Sequence, residues 1–403
     1  MRAKTLAQNL ILVAASSAIA YLVVEIALFR YLLPSLPLNA QSLLHPGVRA
    51  LAQSSKAGTL PHNYIAIVGD SYAQGFGDWL LDSDWTRNSE FNSANVIHDR
   101  TGRDVISFGA GGAGSLRGLV TEPITQYEFI NNSYLYAMEK PRVIVVYFYA
   151  GNDFDDNIKD IDLRYRPRFD ANRIYDSDYF GQFIRSVVVG DSPLHQALAS
   201  VRPGDRLLLA NFVVHSFENL FEKQVTAGGI TVTDTKKWPP GRTNRAMIAG
   251  KVVAIPDGLQ APGLELTGAE LQLATYVFDK ALIYIADYYS DSTIILVYVP
   301  SPLESYQLVS PTVRVQRYHE RQSEFPSQDV SARSKEFCTR IRTIAMRHAM
   351  GFVDARPRLR EAASIQQIHG PRDWSHLNRK GYEILGSLVA SAIADGKPVS
   401  GCD

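Results

Sequence analysis

Cysteine is almost missing: a chain of 403 residues holds two, Cys338 and Cys402. That excludes a disulfide framework, and neither cysteine stands at a metal-ligand spacing, so no metal and no cofactor are expected. A single bridge between the two is left open. Net charge is missing as well, because 41 Lys and Arg balance 41 Asp and Glu. No global field therefore argues for nucleic acid or a strongly anionic partner, and any partner has to be argued from a site. Internal repeats are not visible. What is present, 46% hydrophobic and 20% charged residues, is the composition of a folded chain long enough to bury a substantial core.

The N-terminus carries the strongest compositional signal. Arg2 and Lys4 precede an apolar run from Leu10 to Val24, which Ile26 to Leu33 continues past Glu25. About 20 residues at about 1.5 Å each suffice to cross a hydrocarbon core. Residues 1–33 therefore read as a signal anchor, with the basic flank in the cytoplasm and the rest outside the inner membrane, on the periplasmic or extracytoplasmic side. A cleavable signal peptide competes, since Ala18-Ile19-Ala20 has the small-x-small form of a cleavage site. A buried soluble helix fits less well, because the stripe is apolar all round.

Residues 34–61 are punctuated by Pro34, Pro37, Pro46 and Pro61 and read as a linker. Residues 62–396 read as the folded domain and 397–403 as a tail. Short apolar runs at Tyr64 to Val68, Val105 to Phe108, Val143 to Tyr149 and Thr293 to Val299 predict buried parallel strands, with Phe352-Val353 starting a fifth. A capping box at Thr267 and Glu270 opens a helix carrying Leu271, Ala274, Phe278, Leu282 and Ile285. A second helix is predicted from about Arg333 to Met350, stopped by Gly351, and a last one through Leu385, Leu388, Val389, Ala392 and Ile393. Alternating strands and helices predict a layered α/β domain with a mostly parallel sheet. Residues 154–262 fit the alternation poorly and read as an insertion, either a cap over the substrate or a structural excursion. Its Arg164, Tyr165, Arg166 and Trp238 are of the types that stack on or hydrogen-bond to sugars, although a solvated loop uses the same residues.

Three motifs fall at the ends of the predicted strands. Gly69-Asp70-Ser71 places a serine hydroxyl just past a buried strand, at a helix start. Gly151-Asn152-Asp153 places an amide donor where an oxyanion would develop. In Asp373-Trp374-Ser375-His376, an aspartate three residues before a histidine can accept from one imidazole nitrogen, leaving the other to take a proton from serine. Each motif alone is also an ordinary turn or cap. Gly109 to Gly114 adds unhindered backbone donors, and its glycine spacing fits neither a phosphate loop nor a dinucleotide fingerprint. Asp153, Asp155 and Asp156 lack the glycine and distal glutamate of a calcium loop and read as a polar turn.

Together, in this order, the four blocks resemble those of the SGNH (GDSL-like) hydrolase superfamily, over roughly 62–153 and 290–395. Ser107 stands where that family often carries Asn, and the large insertion is unlike its compact members. The resemblance implies a flavodoxin-like three-layer α/β/α fold with a mostly parallel five-stranded sheet. It implies Ser71 as nucleophile, His376 as base and Asp373 as its orienter, with an oxyanion hole from the Ser71 N–H, the Gly112 N–H and the Asn152 side chain. It further implies an ester substrate, an O-acyl and foremost O-acetyl ester of an envelope or exported carbohydrate. A lipid or aryl esterase, an O-acyltransferase of the same fold, and a non-catalytic polysaccharide-binding scaffold at the membrane are the alternatives.

Overall fold

The computed structural model describes residues 2–35, 46–78, 92–133, 137–199, 209, 213, 241–319, 321–396 and 398–402. In chain order the strands are β1 (Ile65–Val68), β2 (Val105–Ser107), β3 (Val143–Tyr149), β4 (Arg245–Ile248), β5 (Lys251–Ala254), β6 (Thr293–Val299), β7 (Gln307–Leu308), β8 (Thr312–Arg314), β9 (Glu324–Pro326) and β10 (Gly351–Asp354). The apolar runs form one five-stranded sheet in the order β2-β1-β3-β6-β10, parallel throughout. Such a sheet must be covered on both faces, which explains why all seven residues of β3 are buried.

Alternation along the strands divides the core. Ala66, Val68, Ile144, Val146, Phe148, Leu296 and Phe352 face one cluster, together with Leu271, Phe278 and Ile285 of the Gly268–Tyr288 helix and Phe337 and Ile341 of the Ser327–Arg347 helix. Ile65, Ile67, Val145, Tyr147, Ile295, Val297 and Val353 face the other, together with Ile97 of the Ser93–Thr101 helix and Tyr382, Leu385 and Val389 of the Arg379–Ala394 helix. Each large apolar side chain buried this way contributes roughly 1.5–3 kcal/mol.

The capping box forms as expected: the Thr267 hydroxyl accepts the Glu270 N–H and the Glu270 carboxylate accepts the Thr267 N–H. The next helix differs at both ends, starting at Ser327 and ending at Arg347. Gly351 does not stop it but opens β10, and the reversal comes at Ala349, with φ +53°. Among the described residues, no strand between 150 and 292 joins the main sheet; β4 and β5 form a separate antiparallel sheet with β7.

Part of the stretch expected as linker belongs to the core. Pro46–Ala52 forms a 3-10 turn whose Val48, Ala50, Leu51 and Ala52 are buried, and Gln53 and Ser55 hydrogen-bond to Ser107 and Val105 of β2. Prolines hid this, because a segment covering a sheet edge needs buried side chains but no helical or strand period.

The N-terminal helix, Arg2–Val23, runs on through a π-helical turn at Val24–Phe29. Thr5–Ala27 is long and apolar enough to cross a membrane, and Leu6, Leu10, Ile11, Leu12, Val13 and Ile19 are all exposed. Near its C-terminal end Glu25 is buried and accepts the Leu209 N–H at 2.8 Å. Cys338 and Cys402 form a disulfide, settling the pairing left open above.

Candidate functional site

β1 ends at Val68, and Gly69 turns the chain with φ +140°. A Cβ there would lie 2.6 Å from the Tyr147 carbonyl oxygen, so the turn excludes a side chain. Asp70 caps the following helix by accepting the Tyr72 N–H at 2.9 Å. That helix, Ser71–Gln74, is a single turn closed by Gly75 at φ +85°. It is too short to give Ser71 a useful helix dipole, so the serine's surroundings come from its neighbours instead.

Those neighbours arrive from the far end of the sequence. His376 Nε2 lies 2.9 Å from Ser71 Oγ, and His376 Nδ1 lies 2.7 Å from Asp373 Oδ2. Asp373 Oδ1 accepts the Ser375 N–H at 3.0 Å, which fixes the carboxylate's rotation. The three residues that the spacing singled out are thus in one hydrogen-bonded line. Burial pushes the Asp373 carboxyl up, but His376 beside it outweighs that and holds it below the usual carboxylate range. Burial likewise pulls the imidazole down, while Asp373 overrides this and leaves it above its ordinary value. This is the arrangement in which an imidazole accepts a proton from a hydroxyl and a fixed carboxylate stabilises the resulting cation.

The glycine loop is fitted to this turn. A Cβ on Gly109 would lie 2.2 Å from the Gln74 nitrogen, so only glycine lets the loop approach. Ser107 donates to the Ala73 carbonyl at 2.5 Å and accepts the Gly109 N–H at 3.2 Å, clipping loop to turn. The Gly111 N–H is committed to Gln74 Oε1 at 2.7 Å. Gly112, at φ +62°, donates its N–H to none of the described residues. Asn152 heads the Asp153–Lys159 helix beyond β3, and its Oδ1 is buried without a hydrogen-bond partner among the described residues. Ser71, the Gly112 loop and Asn152 therefore follow the ends of β1, β2 and β3, adjacent strands at one edge of the sheet. Within hydrogen-bond reach of the Ser71 hydroxyl the structure places His376 and Asp70, whose Oδ2 is 3.3 Å away.

The aspartates read as a polar turn are instead buried. Asp153 gives one oxygen to the Tyr149 N–H, and its carboxyl is pushed well up by burial and by Asp70. Asp155 pairs with His319 at 3.1 Å, and its carboxyl too is raised by burial. Burial also lifts Asp70 to about 6, against the opposing Tyr72 N–H and His376. Tyr165 is buried as well, so it is not available to stack on a sugar, whereas Arg164 pairs with Asp160 and Arg166 is exposed. Trp238 lies outside the described residues. Sequence reasoning missed Tyr72 and Asp78, which touch the Asp373–His376 loop; contacts spanning some 300 positions leave no local pattern. No family model matches the chain, and no curated protein matches it either.

Proposed function

We propose that the chain is a serine esterase of the SGNH type, acting on an O-acyl ester, foremost an O-acetyl ester, of an envelope or exported carbohydrate. The observation that carries this reading is the unbroken line Ser71 Oγ, His376 Nε2, His376 Nδ1, Asp373 Oδ2 at 2.9 and 2.7 Å. Ser71 loses its proton to His376 as it attacks the ester carbonyl, and the alcohol leaves with that proton. Water, or an acceptor hydroxyl in the transferase variant, then resolves the acyl-serine with His376 again as base. The Ser71 and Gly112 N–H groups and the Asn152 amide serve the oxyanion; each such donor is worth about 3 kcal/mol in the transition state.

The strand order β2-β1-β3-β6-β10 supports the flavodoxin-like α/β/α assignment, because it is the order of that fold with its binding crevice beyond the carboxyl ends of the strands. The apolar N-terminal helix, its basic flank and the Cys338–Cys402 disulfide support a domain held at the inner membrane on its oxidising, extracytoplasmic side.

The test is mass labelling of the purified chain with a fluorophosphonate, beside Ser71→Ala and His376→Ala. Stoichiometric labelling lost in both variants is expected. Because the His376 pKa is raised, the labelling rate should climb with pH through a midpoint above the ordinary imidazole value of about 6.5. A folded wild-type chain that takes no label would sink the reading.

A further inference from the structure

His376 sits in the irregular segment between the Arg356–Ile365 and Arg379–Ala394 helices, and the one bridge beside it, His369 to Leu377, is internal to that segment and does not tie it to Ser71. Something else must keep its imidazole within 2.9 Å of Ser71. Two residues of the serine's own stretch do so. The Tyr72 hydroxyl donates to the Ser375 carbonyl at 2.8 Å, immediately before the histidine. The Asp78 carboxylate takes two backbone N–H groups, Arg372 at 3.0 Å on Oδ2 and Asp373 on Oδ1. The Asp78 carbonyl oxygen also accepts from the Arg372 guanidinium at 3.1 Å. Both ends of the segment carrying Asp373 and His376 are thus tied to residues 72–78.

The tie is itself backed. The Tyr72 ring stacks on Tyr149 with centroids 4.0 Å apart, and the Tyr149 hydroxyl gives its single proton to Gln260 Oε1 at 2.8 Å. Gly151 makes room for that phenol, since a Cβ there would lie 2.4 Å from Tyr149 Oη. Tyr72 and Phe76 also touch the imidazole itself, with ring centroids 5.3 and 5.6 Å away. All four groups, Tyr72, Asp78, Tyr149 and Gln260, are buried.

We infer that Tyr72 and Asp78 are positioning residues that clamp the Asp373–His376 segment onto Ser71, with Tyr149 and Gln260 as the clamp's support; this rests on the esterase reading for its kinetic consequence. Neither residue hydrogen-bonds to Ser71 Oγ or to a ring nitrogen of His376; each acts through the backbone of the segment that carries the histidine. The clamp explains how two segments 300 residues apart hold catalytic distances without a shared element, and why one residue of the 154–262 stretch, Gln260, reaches the site.

The experiment uses the full chain in detergent with Tyr72→Phe and Asp78→Asn. Tyr72→Phe keeps the ring and removes only the hydroxyl, so it covers the case in which Asp78→Asn fails to fold. With an aryl ester, kcat per folded molecule should fall about tenfold or more in each variant, at unchanged KM, because a displacement of an ångström is enough for that loss. Wild-type kcat in folded Tyr72→Phe would overturn the inference. A second readout does not depend on turnover: ring 15N signals of His376, identified by their loss in His376→Ala, should move or broaden in Tyr72→Phe. Unchanged signals would overturn the clamp even if the chain proved not to be an esterase, whereas moved signals with no labelling of wild type would reject the esterase reading alone.

Discussion

Asp160 follows the helix headed by Asn152, and its carboxylate is almost wholly buried; Oδ1 meets the half-exposed Arg164 at 3.3 Å while Oδ2 has no hydrogen-bond partner among the described residues. Burial raises it to about 6, the acids and bases around it contributing less. The folded state therefore binds a proton between roughly pH 4 and 6 that the unfolded chain has released. Stability contributed by this group falls as pH rises through that window, and the full cost stands above pH 6. Asp160→Asn removes the ionisation and retains an acceptor for Arg164, whose exposed pairing is worth little. Denaturant unfolding at pH 7.5 should show the variant more stable on the order of 1 kcal/mol, with no gain at pH 4. Equal destabilisation at both values would mean that the Arg164 pair outweighs the burial of charge.

Among the elements, those with their own periodicity were legible and those defined by a neighbour were not. The Val143 to Tyr149 run read as a buried strand and is one, and the Thr267/Glu270 box marked where its helix starts. The Asp373 and His376 pair was legible as local spacing, whereas its meeting with Ser71, 305 positions away, was expected only from the joint order of the motifs. The Pro46–Ala52 turn, the early start of the helix at Ser327 and the burial of Asp153, Asp155 and Asp156 depend on what packs against them. Polar residues that look solvated in one dimension were buried by a distant segment in three.

The Thr267 box shows how such a distant segment changes an element's energetics. Glu270 caps its own helix and also takes both guanidinium nitrogens of Arg321, at 2.7 and 2.8 Å. That pairing, followed by the Thr267 N–H, outweighs burial and pulls the carboxyl down to about 2. Its contribution is complete above the unfolded value near 4.5 and is lost as pH falls toward 2. Thr267→Ala should cost about 1 kcal/mol at neutral pH and only slightly less near pH 2, since the Thr267 hydroxyl caps the helix at any pH and donates to the Glu270 carboxylate only while that is ionised. Glu270→Ala should cost more at neutral pH and converge on wild type near pH 2. Parallel unfolding series over pH separate the two, and a pH-independent Glu270→Ala deficit would assign its role to packing.

At the scale of the whole molecule, the last residues close the open side of the sheet. β10 is an edge strand, and the tail runs beside it, with the Phe352 N–H donating to the Pro398 carbonyl at 2.7 Å and the Ser400 N–H donating to Phe352 at 3.0 Å. Among the described residues of this segment, 398–402, Val399 is exposed and Cys402 packs against the core. The disulfide from Cys402 to Cys338, a fully buried residue of the Ser327–Arg347 helix, fastens the segment there covalently. Closing a loop of 64 residues restricts the unfolded chain by an amount worth about 4 kcal/mol in the chain-entropy description, and less where the native state relaxes. Cys338→Ala/Cys402→Ala, or the wild type under strong reductant, should therefore unfold at lower urea, with a loss of about 2–4 kcal/mol. β1, which leads to Ser71, is separated from β10 by β3 and β6. Fluorophosphonate labelling of the molecules that remain folded should accordingly proceed at the wild-type rate. A labelling rate that falls with the bridge while the fold persists would show instead that the edge strand and the serine are coupled across the sheet.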